Sequence, residues 1–290
     1  MPETTPASAP APHAPQHAPP DRVDIPVRHV VLVLSGKGGV GKTTVAANLA
    51  FAFANHGFAT GLLDLDIHGP DIPEILGLEG RHMTSYDERH IQPVAVTGNL
   101  AVVSIAFLLP EESSAVIWRG PMKAAVIRQF LEDVEWGELD YLVVDLPPGT
   151  GDEALTVAQL APNIAGAVIV TTPQDVAVLD IKKAITFART IDLPVIGIVE
   201  NMSGMVCPHC GGAIDLFGSG GGKRAAAEMG VPFLGAIPVD PEIRKAADEG
   251  RPYLIRGPGT DPDDPTRKTV EAVMEEILRV IKASEAPGKE

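Results

Sequence analysis

From residue 29 onward the chain alternates between short, almost wholly apolar runs and longer stretches with helical spacing. HVVLVL (29–34), TGLLDL (60–65), LAVVSI (100–105), YLVVD (141–145), AGAVIVT (165–171) and PVIGIV (194–199) read as strands, and a shorter run, PFLGAI, follows at 232–237. Strands this uniformly apolar belong in a parallel sheet covered on both faces. Helices are predicted near 43–56, 121–134, 152–161, 176–190 and 221–229. The strand–helix rhythm predicts an α/β fold with a doubly wound, mostly parallel sheet, and no break is long enough to divide it. A last helix, about 266–283, puts Val270, Val273, Met274, Ile277, Leu278 and Ile281 on one face. Its other face mixes Glu271, Glu275 and Glu276 with Arg267, Arg279 and Lys282, unlike the strongly basic face of a membrane-surface helix. Docking on the protein's own core is expected.

The flanks break this pattern. Residues 1–27 are rich in Pro and Ala without apolar periodicity, and they lack the basic start and apolar stretch of a secretory signal. Such a segment cannot bury enough surface to offset its chain entropy, so a disordered tail is expected over 1–27 and again over 284–290. His13 and His17 in the tail are weak metal-ligand candidates. The formal net charge of −15 disfavours a nucleic-acid partner and an acidic membrane surface, since both require clustered cations. No apolar run approaches the length of a bilayer span. A soluble, cytoplasmic protein is expected.

Between the first strand and the first helix lies Gly36-Lys37-Gly38-Gly39-Val40-Gly41-Lys42-Thr43, which matches G-x-x-x-x-G-K-[ST] in the strand–helix context that makes the match specific. The loop glycines let backbone N–H groups converge on phosphate oxygens, and the helix adds its positive end. Gly36, Gly38, Gly39, Val40, Gly41, Lys42, Thr43 and Thr44 are therefore candidate ATP-binding residues. Lys42 would reach the β- and γ-phosphates, and the Thr43 hydroxyl would ligate Mg²⁺. Lys37, a second lysine early in the loop, makes this a deviant Walker A motif. It resembles the MinD/ParA/nitrogenase-iron-protein class of P-loop ATPases, and that resemblance implies that Lys37 crosses a two-fold axis to the partner's nucleotide. Its plain alternative is a solvated loop lysine.

Acids stand at two strand ends, at the sheet edge where such folds keep ligands. Leu63-Asp64-Leu65-Asp66 and Val143-Val144-Asp145 supply them. Asp145, after an apolar strand, is the natural Walker B residue and would hold Mg²⁺ through water. Asp66 matches the class's switch aspartate, which orients the attacking water; helix or turn capping is the plainer role for Asp64 and Asp71. Trp136-Gly137-Glu138-Leu139-Asp140-Tyr141, continuing through Asp145 to Pro147-Pro148-Gly149-Thr150-Gly151-Asp152, resembles the signature of the Mrp/ApbC family of ATPases that carry iron–sulfur clusters. Trp118-Arg119-Gly120-Pro121-Met122, Glu200-Asn201-Met202-Ser203 and Gly235-Ala236-Ile237-Pro238-Val239-Asp240 fit it as well. The likeness covers about residues 28–283, the expected ATPase domain, with the cysteine-bearing insertion at about 201–218. It implies an adenine pocket lined by Asn201 and the Pro238–Asp240 turn. Two features depart from the family: many members carry a small domain before the ATPase, where a disordered tail is expected here, and Asp71 stands where Ser is usual.

The chain has two cysteines, Cys207 and Cys210, in Cys207-Pro208-His209-Cys210-Gly211-Gly212. Glycines after the second cysteine make a poor helix start, which disfavours a disulfide-exchange site. Half of a zinc site and half of a cluster site both fit. A four-thiolate site of either kind needs two chains, each giving Cys207 and Cys210, and a homodimer places like residues together on its axis. The family resemblance favours a bridging [4Fe–4S] cluster over zinc. It implies a slow ATPase, with Lys37, Lys42, Asp66 and Asp145 catalytic, that hands clusters from assembly scaffolds to apo iron–sulfur proteins. The alternatives are a ParA- or MinD-like positioning ATPase, a nitrogenase-iron-protein-like electron donor, and a zinc-bridged dimeric ATPase without carrier activity.

Overall fold

Successive residues of the first strand belong to different cores. Val31 and Val33 pack with one set of buried side chains, and Val30, Leu32 and Leu34 pack with the other. The same period of two runs through Tyr141 and Val143 against Leu142 and Val144. A sheet with two apolar faces must be covered twice, and helices on both sides do so. The computed structural model describes residues 22–67, 69–85, 87, 90–108, 120–207, 209–255, 261 and 263–285. His13, His17, His68, Trp118, Arg119, Pro208 and the stretch 286–290 lie outside the described residues.

In chain order the elements are β1 (Val27–Ser35), α1 (Lys42–Asn55), β2 (Thr60–Asp64), α2 (Ile72–Ile75), β3 (Thr84–Ser85), β4 (Ile91–Gln92), β5 (Val94–Thr97) and β6 (Leu100–Ser104). They continue with α3 (Gly120–Glu132), β7 (Leu139–Asp145), α4 (Asp152–Leu160), β8 (Ile164–Thr171), α5 (Asp175–Thr190) and β9 (Val195–Glu200). Last come β10 (Met205–Val206), β11 (Ala213–Ile214), α6 (Gly221–Met229), β12 (Phe233–Ala236), α7 (Pro241–Asp248) and α8 (Pro265–Glu285). Eight strands form the main sheet in the order β12-β9-β8-β1-β7-β2-β6-β5. All its pairings are parallel except β5 with β6. This is the doubly wound, mostly parallel α/β sheet that the apolar runs predict.

The edge strand β5 was not legible as a strand because only Val94 of its four residues is buried. α7 was missed for a similar reason, since Ala246 is its one buried residue. The predicted last helix is α8, and its apolar stripe is buried against α1, β9 and β12, as docking on the core requires. Among the described residues no helix is long and apolar enough to cross a membrane.

The expectation of disorder through residue 27 needs correcting. Val23, Ile25 and Val27 alternate into the core, and the Val23 N–H donates to the Leu160 carbonyl at 2.9 Å. Burial of three apolar side chains, each worth roughly 1.5–3 kcal/mol, offsets the ordering cost that the Pro-rich composition suggested would win. At the other end, α8 runs through Glu285, past the expected limit of 283, and Glu285 reaches His29 Nε2 at 2.7 Å.

Candidate functional site

β1 ends at Ser35 and α1 begins at Lys42, so the glycine-rich loop turns the chain directly from the sheet's central strand into the helix. Gly39 (φ 75°) and Gly41 (φ 80°) occupy the left-handed region, which L side chains rarely adopt. A Cβ on Gly36 would stand 2.5 Å from the Asp180 backbone of α5. The residue before α1, Gly41, supplies no side-chain cap, leaving the helix's first N–H groups turned toward the loop. Uncapped donors at a helix head, with the dipole behind them, suit an anionic phosphate.

Lys42 is buried beneath the loop. Its Nζ donates to Asp145 Oδ1 at 2.7 Å, lies 3.3 Å from Thr43 Oγ1 and 3.8 Å from Asp66 Oδ2. The neighbouring strands set this up, since Asp145 at the end of β7 lies in register with Val33 of β1 and Asp64 of β2. Burial pushes the Asp145 carboxyl up, and the Lys42 ammonium pulls against it. Asp64 is held well above the usual carboxylate range by burial first and by the Asp145 charge second. It accepts from Ser104 Oγ at 2.8 Å and from the Asp66 N–H at 3.0 Å, so the plainer turn-capping role fits it. Asp71 is pushed up by partial burial and by Asp66, and its side chain does not cap α2. The second oxygen of Asp145 is buried without a hydrogen-bond partner among the described residues. An orphaned carboxylate oxygen near the Thr43 hydroxyl is a hard-oxygen donor set, which fits Mg²⁺.

Two of the predicted nucleobase residues bond to backbone through their side chains. Asn201 follows β9 and donates from Nδ2 to the Val40 carbonyl at 2.9 Å, so it is tied to the phosphate loop. Together with Thr44, Asn48, Ile237, Ile243 and Tyr253 it lines a small cleft beside α1. Asp240 caps α7, accepting from the Glu242 N–H at 2.8 Å, with Pro238 two residues before it in the same turn. Lys37 is half-buried and forms no ion pair among the described residues. Beside it, α5 turns Val176 (75% exposed) and Leu179 (59% exposed) outward.

Cys207 and Cys210 sit between the two-residue strands β10 and β11, which pair antiparallel. The Cys207 N–H donates to the Gly212 carbonyl and the Gly211 N–H to the Cys207 carbonyl, each at 2.9 Å, closing a knuckle around the pair. N–H groups of His209 and Cys210 aimed at its sulfur pull the Cys207 thiol below the ordinary range, favouring the thiolate that metals bind. Cys207 is half-buried and Cys210 exposed. Among the described residues no group of three or more His, Cys, Asp or Glu side chains could hold a metal, so the knuckle offers two thiolates. Val206, Ile214, Leu216 and Phe217 around it are exposed.

Some participants were not singled out from sequence. Ser104, the partner of Asp64, had only its position as a polar residue ending an apolar strand to reveal it. Asn48 fixes the cleft wall, donating to Thr44 O at 2.8 Å and accepting from the Leu254 N–H at 3.0 Å. Its bond to Leu254, 206 positions away, could not be foreseen from sequence.

A phosphate-binding loop on the central strand, its lysine buried among strand-end acids, defines a P-loop NTPase. The chain belongs to the family of NUBPL iron-transfer P-loop NTPases of the ParA type, whose model matches residues 26–278. It is 52% identical over 229 residues to an iron–sulfur cluster carrier protein of Methanocaldococcus jannaschii, covering 79% of each chain. It is 46% identical over 256 residues to the cytosolic Fe–S cluster assembly factor NUBP2 of Bos taurus, covering 87% of this chain and 93% of that one. A solved nucleotide-binding protein of Archaeoglobus fulgidus, in complex with ADP, superposes with a TM-score of 0.68 at 43% identity, covering 78% of this chain and 87% of that one.

Proposed function

We propose that this chain is a cytoplasmic, ATP-hydrolysing carrier that holds a bridging [4Fe–4S] cluster between two identical subunits and passes it to apo-proteins. One observation carries this reading: two sites in the chain are each half-furnished. Among the described residues Lys37 has no ionic partner, and the knuckle offers two thiolates where a cluster needs four. Both lie near exposed apolar side chains, Val176 and Leu179 by the loop and Leu216 and Phe217 by the knuckle. Burying such residues against a second copy would complete both sites together. The names of the relatives supply the cargo, and assembly scaffolds would load it.

Lys42 would exchange Asp145 for phosphate oxygens, freeing that carboxylate. Thr43 and Asp145 would then hold Mg²⁺, which neutralises phosphate charge when bound. Asp66 would orient the attacking water, and the partner's loop would bring a second Lys37 to the charge that develops in transfer. Backbone N–H groups from Gly36 to Thr44 would cradle the phosphates, with Asn201 and the Pro238–Asp240 turn beside the base. Rearrangement of the shared interface on hydrolysis would loosen the cluster.

The test is anaerobic purification followed by absorption spectroscopy, iron and sulfide analysis and sizing. A brown dimer that becomes colourless when Cys207 and Cys210 are both changed to Ala, with nucleotide binding kept, is expected. A colourless zinc-containing dimer would replace the cargo, and a fully competent single chain would overturn the reading.

A further inference from the structure

Glu200 is the last residue of β9, 1% exposed, and no Lys or Arg pairs with it among the described residues. A buried carboxylate without a cation must be held by hydrogen bonds, and three donors hold this one. Ser203 Oγ donates to Oε1 at 2.5 Å, the Gly220 N–H donates to Oε1 at 2.7 Å, and the Gly222 N–H donates to Oε2 at 2.5 Å. These donors belong to the two roots of the knuckle: Ser203 stands just before β10, and Gly220 and Gly222 stand where the chain enters α6. One side chain thus staples the outgoing and returning strands of the cysteine-bearing insertion.

The glycines are shaped to this staple. A Cβ on Gly222 would press on Glu200 Oε2 and Thr171 Cγ2, both at 3.1 Å, and one on Gly221 would meet the Pro173 carbonyl at 2.1 Å. The residue after Glu200 is Asn201, whose amide holds the Val40 carbonyl of the phosphate loop at 2.9 Å. Its own N–H donates to Thr171 O at 2.7 Å, so the pair Glu200-Asn201 is fixed to the sheet between the two sites. The outgoing root is also zipped onto the turn beyond β12. Ser203 N–H donates to Ile237 O at 2.9 Å, and Val239 N–H donates to Gly204 O at 2.8 Å.

Resting on the two-site reading above, we infer that Glu200 is the positioning residue that transmits nucleotide state to the cysteine knuckle. Its bonds run to Ser203, Gly220 and Gly222, none of them assigned to nucleotide or cargo above. A shift of the phosphate loop pulls on Asn201, and the adjacent carboxylate passes that displacement to both knuckle roots at once. Coupling of this kind needs a contiguous bonded path, and here it runs Val40–Asn201–Glu200–Ser203/Gly220/Gly222.

The experiment uses the full chain, reconstituted anaerobically with iron and sulfide, and follows the rate of iron loss to a chelator with and without Mg·ATP. Glu200→Gln keeps volume but replaces one acceptor oxygen with an NH₂, so one of the three bonds must fail. The variant is expected to bind cluster and nucleotide within about twofold of wild type, while its ratio of iron-loss rates with and without nucleotide collapses toward one. Ser203→Ala, at a half-exposed root, removes a single bond and is expected to reduce the ratio by a smaller factor; it serves if the first variant does not fold. A wild-type ratio different from one that persists unchanged in the folded variants would overturn the role of Glu200. A wild-type ratio of one would instead sink nucleotide gating itself, and a wild type that holds no iron would sink the carrier reading.

Discussion

At the head of α1, Lys42 and Asp145 are buried and bonded to each other, and the loop above them is gripped by α5 at Gly36 and by Asn201 at Val40. At the knuckle, Cys207 and Cys210 hang between two-residue strands, and the apolar side chains around them face solvent. Two candidate binding regions of one domain therefore differ in what makes them. The phosphate loop is shaped by the body of the protein. The knuckle is shaped by its own backbone turns, with its roots alone tied down. Nucleotide chemistry, which needs charges placed to fractions of an ångström, occupies the rigid region. The cargo proposed for this chain, which must be released, would occupy the loose one.

The largest effect that could break this contrast is on hydrolysis. Lys42→Ala should lower the rate of phosphate release by about 10²–10³-fold while leaving iron and sulfide content unchanged. Loss of the cluster in that variant would show that the regions are not separable. A stability measurement sharpens the same point. Gly41→Ala forces a side chain into φ 80° and toward Asn201 Nδ2, 2.2 Å away, and should cost about 1–2 kcal/mol or more in denaturant unfolding. Gly212→Ala in the knuckle meets only Cys210 Sγ at 3.4 Å and should stay within about 0.5 kcal/mol.

The smallest effect is a pH dependence confined to the rigid region. Burial and the Asp145 charge raise the Asp64 carboxyl in the folded protein, so the fold binds its proton more tightly than the unfolded chain does. The associated stability is fully present below the ordinary aspartate range and is lost as pH rises through the folded-state value. Unfolding midpoints of the nucleotide-free protein should therefore rise on acidification across that window. In Asp64→Asn this contribution should vanish, leaving the weaker one from Asp145. An unchanged profile would mean that the strand-end acids are better solvated than their burial implies.

What the sequence disclosed follows the same division. Strands β1, β7, β8 and β9 were legible because burial on both faces leaves uninterrupted runs such as Leu142-Val143-Val144. The loop from Gly36 to Thr43 was legible because phosphate binding constrains consecutive residues. The edge strand β5 and the polar helix α7 each bury one side chain, so no period marks them. Val23 and Ile25 were hidden by the Pro-rich stretch that precedes them. Within the site, Lys42 and Asp145 were identifiable, but their mutual bond was not, since 103 positions separate them. Asp240 was expected at the nucleobase, and its bond to the Glu242 N–H at the head of α7 was not foreseen.

The Ala-rich helix α1 has buried residues from Val45 through Ala54 without interruption. Its alanines, among them Ala46, Ala47 and Ala50, fit a space that admits no added methylene without displacing neighbours. Larger side chains should therefore be excluded from Val45 through Ala54 and accepted on the exposed side of the cysteine insertion. A laboratory search for variants of the cysteine insertion should accordingly diversify its exposed positions and leave the helix behind the phosphate loop untouched.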